Sequence, residues 1–186
     1  MAVASVGVPA YAQSATQAPA PEPQVLSVTS AVAVAPVQRD NYTVTAPPPL
    51  RWPLDSLKLA DGFGPRAAPC AACSSFHEGV DFDPGRGAPV YAIAAGVVVE
   101  TANPNYAALG TYVVIQHTID GVTIDSVYGH MQSGSMPLGV GDTVKVGQVI
   151  GLVGSTGAST GPHLHFELRI NGSPINPLPW LHARLG

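Results

Sequence analysis

Apolar and polar positions alternate most regularly in Gly161-Pro162-His163-Leu164-His165-Phe166-Glu167-Leu168-Arg169. In an extended chain Leu164, Phe166 and Leu168 share one face and can cover a core, which sends His163 and His165 together to the other face, an exposed wall. Other short runs rich in β-branched residues precede it: Gly79 to Phe82, Pro89 to Ala94, Gly96 to Thr101, Thr111 to His117, Thr123 to His130, Thr143 to Val146 and Val149 to Ser155, with His163 to Ile170 the last. Gly, Pro, Asn or Asp separate them at short intervals, and no helical period of useful length interrupts them. The pattern predicts an all-β domain, a sandwich or partly open barrel of short antiparallel strands.

The pattern begins near Leu50-Arg51-Trp52-Pro53, so the folded domain is expected over 50–186. From 13 to 49 the chain is Ala, Pro, Val, Ser and Thr without period, broken by Pro19, Pro21, Pro23, Pro36 and the Pro47-Pro48-Pro49 run. That composition is read as a disordered, extended linker. Residues 1–12 end in Ala10-Tyr11-Ala12, an Ala-x-Ala pattern that fits the remnant of an export signal without its positively charged leader; the competing reading is more Ala-rich linker. An extracytoplasmic location is expected, secreted or in the cell wall. No later stretch is long and apolar enough to span a membrane as a helix.

The 186 residues carry a formal net charge of -4, with only 11% charged residues. A nucleic-acid partner is not expected, because binding to phosphates needs a basic face.

Three separated places carry candidate chemistry. In His77-Glu78-Gly79-Val80-Asp81 an extended chain puts His77 and Asp81 on one face, and Gly79 leaves room between them for an ion. With one member of His163-x-His165 they make two imidazoles and a carboxylate. Three protein ligands with a fourth position left to water is the pattern of a catalytic zinc site. His130, in Tyr128-Gly129-His130-Met131, offers a further imidazole that can hold a proton without binding metal. His117 and His182 are read as ordinary histidines. Glu78 is not given a general-base role, because His77-Glu78-x-x-Asp81 is not His-Glu-x-x-His. Cys70 and Cys73 are the only cysteines; in an exported chain an even count favours a disulfide, and no βαβ context supports a redox pair.

His-x-x-x-Asp at His77 to Asp81, Tyr-x-His at Tyr128 to His130 and His-x-His at His163 to His165 occur in this order. Together with the Gly141-Asp142-Thr143-Val144-Lys145-Val146-Gly147-Gln148-Val149-Ile150-Gly151 frame and the Gly154-Ser155-Thr156-Gly157 approach, they resemble the M23 family of zinc metallopeptidases, the lysostaphin-like or LytM-type peptidoglycan endopeptidases. The likeness covers about Asp61 to Pro177. It implies a lysostaphin-like β-sandwich, Zn2+ bound by His77, Asp81 and His165, His130 and His163 as the catalytic pair, and peptidoglycan peptide as substrate; the sequence leaves the oligomeric state open, with a monomer expected. The alternative is a catalytically silent relative that binds wall peptide or regulates another hydrolase; the presence of all five positions favours the enzyme. One departure is the segment Cys70 to Phe76, where relatives place an oxyanion-holding tyrosine and this chain has none. Stabilisation of the oxyanion then rests more on His130 and His163.

Overall fold

A computed structural model of the protein describes residues 50–70, 73–102 and 108–186. The signal remnant expected over 1–12 and the linker expected over 13–49 lie outside the described residues. The described residues form twelve strands in chain order: β1 Leu59–Asp61, β2 Gly64–Pro65, β3 Phe76–His77, β4 Val80–Phe82, β5 Pro89–Tyr91, β6 Gly96–Ala102, β7 Thr111–Ile119, β8 Val122–Met131, β9 Thr143–Val144, β10 Val149–Leu152, β11 Leu164–Ile170 and β12 Ser173–Ile175. Among the described residues there is one helix, α1 Pro177–Leu185, which follows β12.

The main sheet runs in the order β1-β4-β11-β8-β7-β6-β9, with β12 pairing to β11, and every pairing is antiparallel. Two small sheets, β10 with β5 and β2 with β3, stand beside it. The all-β expectation therefore holds, and the sheets do not close into a barrel. Long, β-branched β7 and β8 lie inside the sheet, flanked by β11 and β6. Val113, Ile115, Ile124, Tyr128, Leu164, Phe166 and Leu168 are fully or almost fully buried and pack with Ile93, Ile150 and Leu181 into one core.

The alternation does not predict α1, β1, β2, β3 or β12. The helix is nine residues long and opens on two prolines, so it offers little apolar period. Its signal lies at the ends: the Asn176 side chain caps the N-terminus by accepting from Leu178 N at 3.1 Å, Pro177 tolerates the first position, and Gly186 closes the end. Leu181 carries the helix onto the core.

β11 lies inside the sheet, with β4 on one side and β8 on the other. The register sets His165 opposite Asp81 on β4 and opposite Gly129 on β8. This pairing carries residues distant in sequence to one spot.

Candidate active site

The first candidate segment is not one extended strand. His77 ends β3, the chain bends through Glu78 and Gly79, and Asp81 sits in β4, which belongs to a different sheet. The two side chains still meet, with His77 Nε2 3.1 Å from Asp81 Oδ1. Gly79 is needed here for another reason than space for an ion. A Cβ at this position would lie 2.4 Å from the Phe166 carbonyl oxygen and 2.9 Å from Glu167 Cγ, so only glycine lets the bend cross β11 this closely.

The histidine pair is also not an exposed wall. His165 is buried inside β11, while His163 precedes the strand and is only partly covered. Both border one open cleft of about 290 Å3, together with His77, Asp81, His130, Arg66, Phe76, Leu109 and Arg169.

His130 reaches the cleft through a local irregularity. Between the pairs Thr111↔Met131 and Val113↔Tyr128, β7 contributes one residue and β8 contributes two, Gly129 and His130, which makes a bulge. His130 takes φ 57°, a left-handed conformation uncommon outside glycine. Its N–H donates to Leu109 O at 2.7 Å, and its Nδ1–H donates to Thr156 O at 2.8 Å. Gly129 has no room for a side chain without tight contact, since a Cβ would stand 3.2 Å from Leu109 Cδ2 and 3.4 Å from His165 Cβ.

His77, Asp81 and His165 form the one cluster among the described residues with donor atoms suited to a metal ion. His77 Nε2, Asp81 Oδ1 and His165 Nδ1 form a triangle with edges of 3.1, 3.0 and 3.0 Å. The other nitrogen of each ring is already used, because His77 Nδ1–H donates to Gly62 O at 2.7 Å and His165 Nε2–H donates to Glu167 Oε1 at 2.8 Å. In the neutral tautomers three lone-pair atoms therefore face one another with no proton between them. Such an arrangement calls for a cation, and an N, N, O set about 3 Å on edge fits zinc, whose bonds to these atoms are about 2.0–2.2 Å.

In the metal-free protein a proton fills that need. Burial works against charge on His165, but hydrogen bonds to Asp81 and Glu167 outweigh it and raise its pKa to about 9. Burial likewise works against ionised Asp81, yet its hydrogen bonds with His165 and His77 hold its carboxyl well below the usual range.

The two remaining imidazoles stand together. The His130 and His163 rings meet edge-on with centroids 4.7 Å apart, and His130 lies 5.6 Å from the His165 ring. His163 donates from Nδ1 to Gly161 O at 2.8 Å, which leaves Nε2 bare, 3.7 Å from Asp81 Oδ2. Burial, followed by repulsion from His165 and His163, pushes the His130 pKa down to about 4, so it is neutral at neutral pH.

All five sequence-derived residues are thus brought together. His117 is buried on bonds to Ala95 O and Ser126 Oγ, and His182 packs edge-on against Trp52. Cys70 and Cys73 form a disulfide, and Cys73 borders the cleft. No tyrosine lines the cleft among the described residues. The sequence reading missed Glu167, a buried carboxylate in contact with His165, and Arg66, whose guanidinium pairs with Asp61 and lies 3.6 Å from Asp81 Oδ2. Glu167 had a signal: the alternation that pairs His163 with His165 continues through Glu167 and Arg169.

Fold and cleft together define a metallopeptidase-like site. The description Peptidase family M23 matches residues 75–177, and the chain belongs to this family. The DD-carboxypeptidase/endopeptidase Mpg of Neisseria meningitidis is 41% identical over 126 residues, 68% of this chain and 27% of that protein. The peptidoglycan DD-endopeptidase ShyA of Vibrio cholerae is 43% identical over 130 residues, 69% of this chain and 29% of that protein. The chain therefore spans less than a third of the length of either relative. Among solved structures, the catalytic domain of the antimicrobial peptidase lysostaphin from Staphylococcus simulans has a TM-score of 0.57 and 38% identity, covering 68% of this chain and 92% of that one.

Proposed function

We propose that this protein is a zinc-dependent endopeptidase that hydrolyses peptide bonds in bacterial peptidoglycan, working outside the cytoplasm. The observation that carries the reading is the triangle of His77 Nε2, Asp81 Oδ1 and His165 Nδ1 beside two further imidazoles in one open cleft. His77, Asp81 and His165 would hold the ion. A zinc ion bound there supplies a Lewis acid for the scissile carbonyl and lowers the pKa of water.

The chain's own groups do the proton work. His130 is kept neutral by burial, and its Nδ1–H bond to Thr156 fixes the ring so that Nε2 carries the free lone pair. His163 is fixed in the same tautomer by Gly161 O. Two bare Nε2 atoms on adjoining rings can accept the proton of the attacking water, and the imidazolium formed can stabilise the oxyanion and return the proton to the leaving nitrogen.

Relatives named DD-endopeptidases support a bond between D-configured residues of the stem peptides as the target. The Cys70–Cys73 disulfide supports an oxidising compartment. Incubation of the purified protein with cross-linked wall fragments, followed by mass spectrometry, tests the reading. We expect new peptide ends, each pair one water heavier than its parent, that disappear with a chelator and return with zinc. Intact fragments after incubation with zinc-loaded protein would overturn it.

A further inference from the structure

We propose that Glu167 is a positioning residue that fixes His165 in the tautomer with Nδ1 bare, and that Arg169 holds Glu167 for this task. The inference rests on the zinc reading above and goes one layer further out.

His165, Glu167 and Arg169 alternate along β11 and so share one side of the strand. Glu167 is 2% exposed, and neither of its oxygens is idle. Oε1 accepts from His165 Nε2–H at 2.8 Å, while Oε2 accepts from Arg169 Nε at 2.7 Å and is ion-paired with its Nη2 at 2.7 Å. A carboxylate that can only accept forces the His165 proton onto Nε2. Nδ1 is then left bare, 3.0 Å from both Asp81 Oδ1 and His77 Nε2. Without that partner the ring could carry its proton on either nitrogen, and one of the two states would block the cluster.

The two imidazoles of the cluster are held differently. His77 donates to a neutral carbonyl, that of Gly62, with the half-exposed Asp61 carboxylate farther off at 3.9 Å, whereas His165 donates directly to a buried carboxylate. An anionic partner makes Nδ1 a stronger donor to a cation. A buried carboxylate is costly unless paired, and Arg169 supplies the pairing from the cleft wall, where its guanidinium also comes within 3.7 Å of Glu78 Oε2. Gly79, required by the approach to the Phe166 carbonyl oxygen, also leaves the Glu167 stem room. A Cβ there would stand 2.9 Å from Glu167 Cγ, so the bend after β3 is bare at the point where Glu167 passes beneath it.

The test measures zinc affinity by chelator competition in the parent, Glu167→Gln and Glu167→Ala, with folding of each checked by circular dichroism. Loss of such an outer partner typically costs about 10–100-fold in metal affinity. We expect Glu167→Ala to fall in that range, and Glu167→Gln, which keeps an accepting oxygen, to fall between it and the parent. Affinities within twofold of the parent in folded variants would overturn the proposal. A second measurement needs neither variant nor zinc: side-chain 15N spectra of the metal-free parent in alkaline buffer, where His165 carries one proton. The proton on Nε2 supports the proposal, and the proton on Nδ1 overturns it. A parent that binds no zinc would defeat the zinc reading instead, and the tautomer would still decide this one.

Discussion

At the scale of single residues, the site separates imidazoles by what their second nitrogen does. His77 and His165 spend one nitrogen on fixed acceptors and aim the other at Asp81, whereas His130 and His163 spend theirs on carbonyls and keep Nε2 bare beside the cluster. The protonation states follow from these partners and set a pH dependence. Below about 9 the metal-free protein holds a proton on His165 that an incoming ion must displace, while Asp81 stays ionised throughout. The sign is then fixed: zinc affinity rises with pH until the raised pKa of His165 is passed. Chelator competition at several values between about pH 6 and about pH 8 should show close to a tenfold gain per unit. A flat profile would contradict the raised pKa. His130, with its pKa pushed down to about 4, contributes no loss of activity at neutral pH.

At the scale of elements, the site depends on β11 lying between β4 and β8 and on one close crossing. Gly79→Ala should be destabilising despite its small size, because the new Cβ would meet the backbone oxygen of Phe166 at 2.4 Å and backbone cannot simply step aside. Overpacking of this kind typically costs about 1–3 kcal/mol, which thermal denaturation of the metal-free protein would read as a lowered Tm. An unchanged Tm would mean the crossing is loose. This crossing also marks where the sequence stops being legible. Alternation reveals the strand at Leu164–Ile170 and the core role of Leu164, Phe166 and Leu168, since period two is a local property. The register that seats His165 opposite Asp81, and the bulge that turns His130 inward at positive φ, arise from contacts between distant segments and leave no local trace. Glu167 is an intermediate case, because its position on the histidine face was readable and its burial was not. The short helix escaped because its cues are a capping Asn176 and flanking prolines rather than an apolar stripe.

At the scale of the molecule, the match to peptidase family M23 over 75–177 contains His77, Asp81, His130, His163 and His165, while Gly62 and Arg66, which touch them, precede it, and the core reaches from Leu50 to Leu181. Five side chains from three stretches of sequence border one cleft, three of them converging on a point and two standing beside it. The central claim is that this division is functional: three residues hold metal and two move protons. It is tested most directly by measuring zinc content and wall hydrolysis together on His130→Ala, His163→Ala and His165→Ala at neutral pH. The account predicts that the first two retain zinc while turnover drops by about 10²–10⁴-fold, the usual cost of losing acid–base help, and that the third loses both. An empty site in His163→Ala with a full one in His165→Ala would show the pair reversed, and parent-level hydrolysis by both His130→Ala and His163→Ala would contradict the division itself.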